Sequence, residues 1–452
     1  MQTSSTASQL NALVIIGTLF FVFGFITWLN GALIPFLQIV CELSDSQALF
    51  IAFSFYIAYV VMALPMSYVL NRTGYRNAMT LGLGLIALGC LLFIPAAEMQ
   101  RFGIFVVAQF IVGAGLTILQ TASNPYLVLA GPSESAAARI SIMGILNKGA
   151  GWLAPMMFGI LVMGEFSGIT AQSVAQLSPA EQTIQIAKLA DSLVLPYLGM
   201  AIALLILAVA LRFSGLPELE NDEAKASATD VQSAQSIWQF PNLILGVVTL
   251  FCYVGVEVIA GDTIGLLGSK LNVPGAMSLT SYTMAFMVVG YVLGLVLIPK
   301  VISQRKMLVC SALLGMVLAL MIISSNPASN RVSEIVWVWA GLPALPDPVV
   351  YVALLGLANA IVWPAVWPLA LADLGRFTAR GSALLIMGIA GGAILPLLFG
   401  KLAEWTSITH AYMLTLPCYG FIALYALVGC RMRSWKTSSG KGATNKANTF
   451  SH

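Results

Sequence analysis

Lys148, Glu257 and Asp262 are the residues of this chain best placed to do chemistry, because each can carry charge inside a run otherwise too apolar to hold one. Glu257 and Asp262 share the stretch VGVEVIAGD, Val254 to Asp262, in a run of about two dozen residues that is otherwise apolar, small or uncharged. Lys148 lies nine residues after Arg139. That puts it about 13 Å into a hydrocarbon layer roughly 30 Å thick, too deep to reach the interface comfortably. Ionisable residues at that depth face a cavity or one another and mark ion or substrate pathways, the competing reading being an ion pair that only fixes helix packing. Five residues of helix turn about 500°, so the two acids would point roughly 140° apart on an unbroken helix. Both can face one cavity only if the helix unwinds, which Gly255, Gly261, Gly265 and Gly268 make cheap. Interrupted helices build ion sites from freed carbonyls and an acidic side chain. The alternative is that one acid lines the cavity while the other packs against a neighbour.

Neutral polar groups form a second set. LQTASNPYLVLAGP, Leu119 to Pro132, concentrates Gln120, Thr121, Ser123 and Asn124 ahead of Pro125, and Asn30, Asn147 and Asn359 add amides elsewhere. Trp28, Tyr253, Trp363 and Trp367 add rings. Amides that bond hydroxyls, with flat apolar faces beside them, suit a sugar-like ligand. For any single ring, packing or interfacial anchoring competes with this; for the amides it competes less, since an unpaired amide in lipid is costly. The six cysteines are scattered without metal-type spacing and read as unpaired packing residues, and His410 stands at a predicted span edge. No nucleophile–base pair, phosphate loop or metal motif is present, which points away from an enzyme.

The elements that must position these residues are membrane helices. Of 452 residues 59% are hydrophobic and only 9% charged, too few charges to coat a water-soluble domain. Roughly twelve runs reach the 20 or so residues that a span needs. The opening MQTSSTASQL lacks the basic flank of a secretory signal, so the first run is expected to be retained. Placing both termini in the cytoplasm puts about fifteen basic residues inside and about five outside, which fixes the orientation. The basic tail is then an orientation signal rather than a nucleic-acid site. The polar stretch from Gly215 to Phe240 reads as a cytoplasmic linker. The expected organisation is a six-helix bundle over 1–214, the linker 215–240, a second six-helix bundle over 241–432 and a cytoplasmic tail over 433–452. A further helix, outside the membrane, is expected from Ser178, where Ser178, Pro179 and Glu181 make a capping box.

The halves repeat. ARISIMGILNKGAGWLAPMMFG (Ala138 to Gly159) lies without a gap over ARGSALLIMGIAGGAILPLLFG (Ala379 to Gly400), matching Arg139, Ser141, Gly151, Pro155, Phe158 and Gly159 to Arg380, Ser382, Gly392, Pro396, Phe399 and Gly400. FFVFGFITWLNGA (Phe20 to Ala32) over FCYVGVEVIAGDT (Phe251 to Thr263) is weaker and puts Gly31 on Asp262. Two six-span halves in parallel repeat resemble the major facilitator superfamily, in which substrate sits near the midplane between halves that rock about it. The loop LNRTGYRN, Leu70 to Asn77, resembles that superfamily's signature loop, with Asn71 where an acid is common. The expected fold is therefore all-α and integral to the membrane: twelve helices in two pseudo-symmetric halves.

Within that superfamily the chain resembles the fucose/glucose/galactose sugar:cation symporters, and most closely their glucose/galactose branch. QTASNPYLVLAGP (Gln120 to Pro132) carries the resemblance most specifically. FFVFGFITWLNGALIP (Phe20 to Pro35), FCYVGVEVIAG (Phe251 to Gly261), WPAVWPLALADLG (Trp363 to Gly375) and GSALLIMGIAGGAILPLLFG (Gly381 to Gly400) support it. The resemblance implies that Asn147 binds sugar and that Glu257 is the acid typical of the glucose/galactose branch. It also implies that Gly31 and Gln120 stand where the fucose branch has acids. Lys148 and Asp262 depart from it, since the family usually has a small residue such as Ser at the first position and often Ser at the second.

The expectation is a monomeric secondary transporter that imports a monosaccharide across a bacterial inner membrane, coupled to H⁺ or Na⁺ and needing no cofactor. Gln120, Asn124, Asn147, Asn30 and Asn359 would bind hydroxyls, and Trp28, Tyr253, Trp363 and Trp367 would supply rings. Asp262, Glu257 and Lys148 would couple the cation, with any sodium near Glu257 and Asp262. An ammonium beside a carboxylate can also take a sodium ion's place. Competing expectations are an uncoupled sugar facilitator, a membrane sugar receptor or scaffold that no longer transports, and an exporter of amphipathic compounds.

Overall fold

The computed structural model of the chain describes residues 6–129, 136–162, 164, 169, 173–174, 176–216, 236–298, 301–374 and 377–435. Among them the regular structure is helix, with no strand. Lipid imposes this, because a helix satisfies its backbone hydrogen bonds within itself. Eleven stretches of the described residues are long and apolar enough to cross a membrane. The fifth span, Ala136–Leu161, completes twelve: its 26 residues are ample in length, while Asn147 and Lys148 make it more polar than the others.

Several spans are interrupted. The first consists of Thr6–Trp28 and Asn30–Val40, joined at Leu29. The second and third form one run, Asp45–Glu98, turned at Gly74 within the loop LNRTGYRN. Gly74 has φ 79°, a conformation that glycine alone adopts without strain. The seventh span is Pro241–Asp262 followed, after a break at Thr263, by Ile264–Lys270. The eleventh is Thr378–Met387, a 3₁₀ turn Gly388–Ala390, and Gly391–Trp405. Outside the spans, Pro179–Asp191 forms the expected helix, and both bonds of the Ser178–Glu181 capping box are made. Residues 217–235 of the expected linker lie outside the described residues, as does the tail beyond 435. Within the described part of that stretch, before 241, Ile237–Gln239 forms a 3₁₀ turn capped by Ser236. All six cysteines are unpaired.

The sequence repeat is a packing repeat. A Cβ at Gly24 would lie 1.8 Å from the Asn147 carbonyl oxygen, so the first span rests directly on the fifth. In the other half, a Cβ at Gly391 would lie 1.8 Å from the Phe251 carbonyl oxygen, so the seventh span rests on the eleventh, although here the glycine comes from the eleventh span, and Gly255, the repeat partner of Gly24, meets Leu395 instead. The symmetry is incomplete, because the fifth span is continuous where the eleventh is broken. The break falls where Gly388 and Ile389 replace Asn147 and Lys148 in the repeat.

Between the halves, contacts gather towards the end away from the termini. The Ser46 N–H donates to Glu404 Oε1 at 3.0 Å, and Ser281 Oγ donates to the Trp152 carbonyl at 2.7 Å. A Cβ at Gly265 would lie 2.8 Å from the Gly31 carbonyl oxygen, and one at Gly31 would lie 2.0 Å from Thr280 Oγ1. The protein is closed at that end.

Gly24→Ala should lower thermal stability by the equivalent of about 1–3 kcal/mol, the range for overpacking a close contact. Gly84→Ala, where nothing lies within 4 Å of the added carbon, should not. Melting of the two variants in detergent, followed by size-exclusion chromatography, checks this; equal melting temperatures would contradict the close approach.

Candidate ion and ligand site

Lys148, on the fifth span, and Glu257, on the seventh, meet across the two halves, Nζ to Oε1 at 2.7 Å. Each is only 7% exposed. The Tyr253 hydroxyl, one turn before Glu257, donates to the same oxygen at 2.7 Å. On its other side the ammonium lies over the Trp28 ring, 4.2 Å from the centroid. Two glycines admit that indole: a Cβ at Gly151 would come within 2.4 Å of it and one at Gly261 within 2.3 Å. Carboxylate, phenol and ring face thus enclose one cation. A desolvated cation–π contact is worth about 2 kcal/mol, and breaking a buried pair by removing one partner costs about 3–5 kcal/mol.

Asp262 lies within electrostatic reach of both Lys148 and Glu257. It is 0% exposed, and neither carboxylate oxygen has a hydrogen-bond partner among the described residues. The helix Pro241–Asp262 continues through both acids and breaks only at Thr263, whose hydroxyl bonds to the Ile259 carbonyl and to Tyr412. Unwinding between Glu257 and Asp262 therefore does not occur. The glycines serve close approach instead, and the acids diverge: Glu257 points at Lys148 while Asp262 is buried apart from that pair.

The other predicted residues separate into groups. Asn147 Nδ2 donates to the Phe20 carbonyl at 3.3 Å, tying the fifth span to the first one residue from Lys148. Gln120 Nε2 donates to the Tyr59 hydroxyl at 2.8 Å. Gln109 donates to Asn30 Oδ1, leaving Asn30 Nδ2 unpartnered among the described residues. Trp363 lies 6.3 Å from Tyr253 and 5.5 Å from Trp367, centroid to centroid, a half-buried ladder leading away from Glu257. Asn359 is fully buried; its Oδ1 accepts from the Tyr419 hydroxyl at 2.9 Å, joining the tenth and twelfth spans, while its Nδ2 is unpartnered among the described residues. The Asn124 side chain lies outside the described residues.

Sequence reasoning missed Tyr56, Tyr59, Gln109 and Tyr419. Tyr56 is buried, feels the charges of Asp262 and Glu257, and has an unpartnered hydroxyl among the described residues. Tyr56 and Tyr59 stand three apart in FSFYIAYVV, the spacing of one helix face, with their rings stacked 6.4 Å apart. That spacing was the available signal. Unpartnered buried donors also include Trp28 Nε1 and Trp367 Nε1, and burying each without a partner costs about 1–3 kcal/mol. The arrangement can hold one cation firmly, present one uncompensated carboxylate and offer donors to an oxygen-rich ligand.

Comparison with known proteins places this geometry. The model of the Major Facilitator Superfamily matches residues 16–395. The chain belongs to that superfamily. A glucose/galactose transporter of Brucella abortus is 32% identical over 436 residues, covering 95% of this chain and 97% of that one. The L-fucose-proton symporter of Escherichia coli is 27% identical, covering 90% of this chain and 91% of its own length. A crystal structure of the superfamily transporter FucP in its outward conformation superposes with a TM-score of 0.68, covering 93% of this chain and 99% of that one at 23% identity. As a superfamily member in the group with these transporters, the protein is a multi-pass membrane transporter and not an enzyme.

Lys148→Met should lower stability by about 3–5 kcal/mol, because Glu257 keeps only the Tyr253 hydroxyl. Glu257→Gln should cost a similar amount, and the double variant less than the sum, since neither charge is then stranded. Tyr253→Phe should cost about 1 kcal/mol. Denaturation of the purified variants in one detergent checks the cycle, and strictly additive losses would deny that the two charges are coupled.

Proposed function

We propose that this transporter imports a monosaccharide across a bacterial inner membrane by alternating access and that protons drive it. The halves 1–214 and 241–432 would rock about the site as a monomer, with both termini in the cytoplasm. The end closed by Ser46, Glu404, Gly31 and Gly265 would then be the outer one. Relatives named for glucose, galactose and fucose support the substrate class, and the fucose relative is named as a proton symporter. The neutral polar groups of Gln120, Asn147, Asn30, Asn359 and Tyr56, together with the rings of Trp363 and Trp367, suit a ring bearing hydroxyls. Asn124 belongs to the motif that carries the family resemblance.

One observation carries the coupling: Asp262 is completely buried without a donor among the described residues, within electrostatic reach of an acid already paired with Lys148. One cation and two carboxylates leave the site with a single negative charge, and one proton brings it to zero. A bare carboxylate sealed from water opposes closure by several kcal/mol, so closure around sugar favours the protonated carrier. Glu257, held by Lys148 and Tyr253, would keep the two halves in register.

Proteoliposomes reconstituted with the protein and given radiolabelled hexose provide the test. The native protein should accumulate sugar when the outside is made acidic. Asp262→Asn should lose at least tenfold of that accumulation while retaining sugar counterflow. Full accumulation by Asp262→Asn would remove the coupling role, and counterflow without accumulation by the native protein would make it a facilitator.

A further inference from the structure

Lys148 does more than pair with an acid. Its ammonium occupies a built cation site: Glu257 Oε1 at 2.7 Å, the Tyr253 hydroxyl on that same oxygen, and the Trp28 ring face at 4.2 Å. The elements that form the site come from both halves, with Trp28 and Lys148 from the first and Tyr253 and Glu257 from the second. Carboxylate and hydroxyl oxygens are groups that can also hold an alkali cation, and here both belong to the unbroken helix Pro241–Asp262. The ammonium is tied to the backbone by its own side chain and cannot cross with substrate.

A second cation entering beside it would meet a like charge about 4 Å away in a poorly screened site, which weakens binding on the order of a thousandfold. We propose that Lys148 is a tethered substitute for a coupling sodium ion: it holds the cation position between the halves permanently, and makes transport indifferent to sodium. The inference rests on the transport reading above only in leaving the proton on Asp262 as the mobile cation. Residues with small side chains at position 148, usual in the family this chain resembles, would vacate the site for a free ion while keeping Glu257 and Tyr253.

The experiment compares native protein, Lys148→Ser, Lys148→Ala and Lys148→Met in sodium, potassium and choline chlorides, by melting temperature and by hexose uptake. Native protein should respond to none of the salts. Lys148→Ser and Lys148→Ala should melt roughly 2–4 °C higher in sodium than in potassium or choline, as a ligand restores the missing charge. Lys148→Met, whose side chain fills the space without a charge, should not. Recovery of folded Lys148→Ser only in the presence of sodium would support the proposal as well. Small-residue variants that behave alike in all three salts, folded or not, would overturn it, and so would a native protein whose melting or uptake depends on sodium. Absence of hexose uptake by the native protein would sink the transport reading alone, because the melting comparison needs no sugar.

Discussion

A buried ammonium and carboxylate in contact across two halves of a membrane protein constrain everything around them. Lys148 and Glu257 can stay charged in a dry site only while they stay together, and each separately would be far too costly. That requirement explains the glycines on either side. Gly151 and Gly261 let the Trp28 indole lie flat beside the ammonium, and Gly24 brings the first span down onto the fifth so that the indole reaches it. The Asn147 amide then fixes that packing from the neighbouring position. The ion pair selects the helix spacing, and the glycines permit it.

The two halves share a scaffold but not a chemistry. In each half the first span of the half rests on its fifth at a glycine, Gly24 against Asn147 and Gly391 against Phe251, but the glycine comes from the first span in one half and from the eleventh in the other. At the active positions the repeat is broken: Lys148 faces Ile389, and Gly31 faces Asp262. Closure gives the second inequality a steric reason. Gly31 sits against Thr280 Oγ1 and the Gly261 carbonyl, where any side chain would collide in the state described. An acid at that position would hold the closed ends of the two halves apart. An acid at Asp262 lies one residue beyond the same contact, is buried by closure, and allows it to be tight.

Much of this was legible in the sequence, for identifiable reasons. Charge scarcity and span-length runs specify a membrane helix bundle, because lipid leaves few alternatives. The repeat registers Gly151 on Gly392, and the capping box at Ser178 sets the start of the external helix. Lys148, Glu257 and Asp262 were visible because charge in an apolar run is rare. Their partners were not, since which acid Lys148 meets depends on the contact between halves, and no local pattern encodes that. The glycines after Val254 suggested unwinding, but they serve helix–helix approach, and the chain breaks only at Thr263. Tyr56 and Tyr59 escaped notice because tyrosines in a span also read as packing. Asn359 was visible as a buried amide, but Tyr419, which occupies its oxygen from sixty residues away, was not; its Nδ2 stays unpartnered among the described residues.

The division of labour between the two acids follows from their surroundings rather than their identity. Glu257 has a cation and a phenol on one oxygen, so a proton offered to it competes with two existing partners. Asp262 has no donor among the described residues, so nothing there competes with a proton. Both carboxylates lie on one helix five residues apart, yet one is fixed as part of the scaffold and the other is left responsive. The proton coupling proposed above would use that asymmetry. A site whose charges were all paired would close equally well empty or loaded, and one with none paired would not close at all. In the proposed mechanism, one compensated acid with an uncompensated acid in electrostatic reach would make closure sensitive to a single proton.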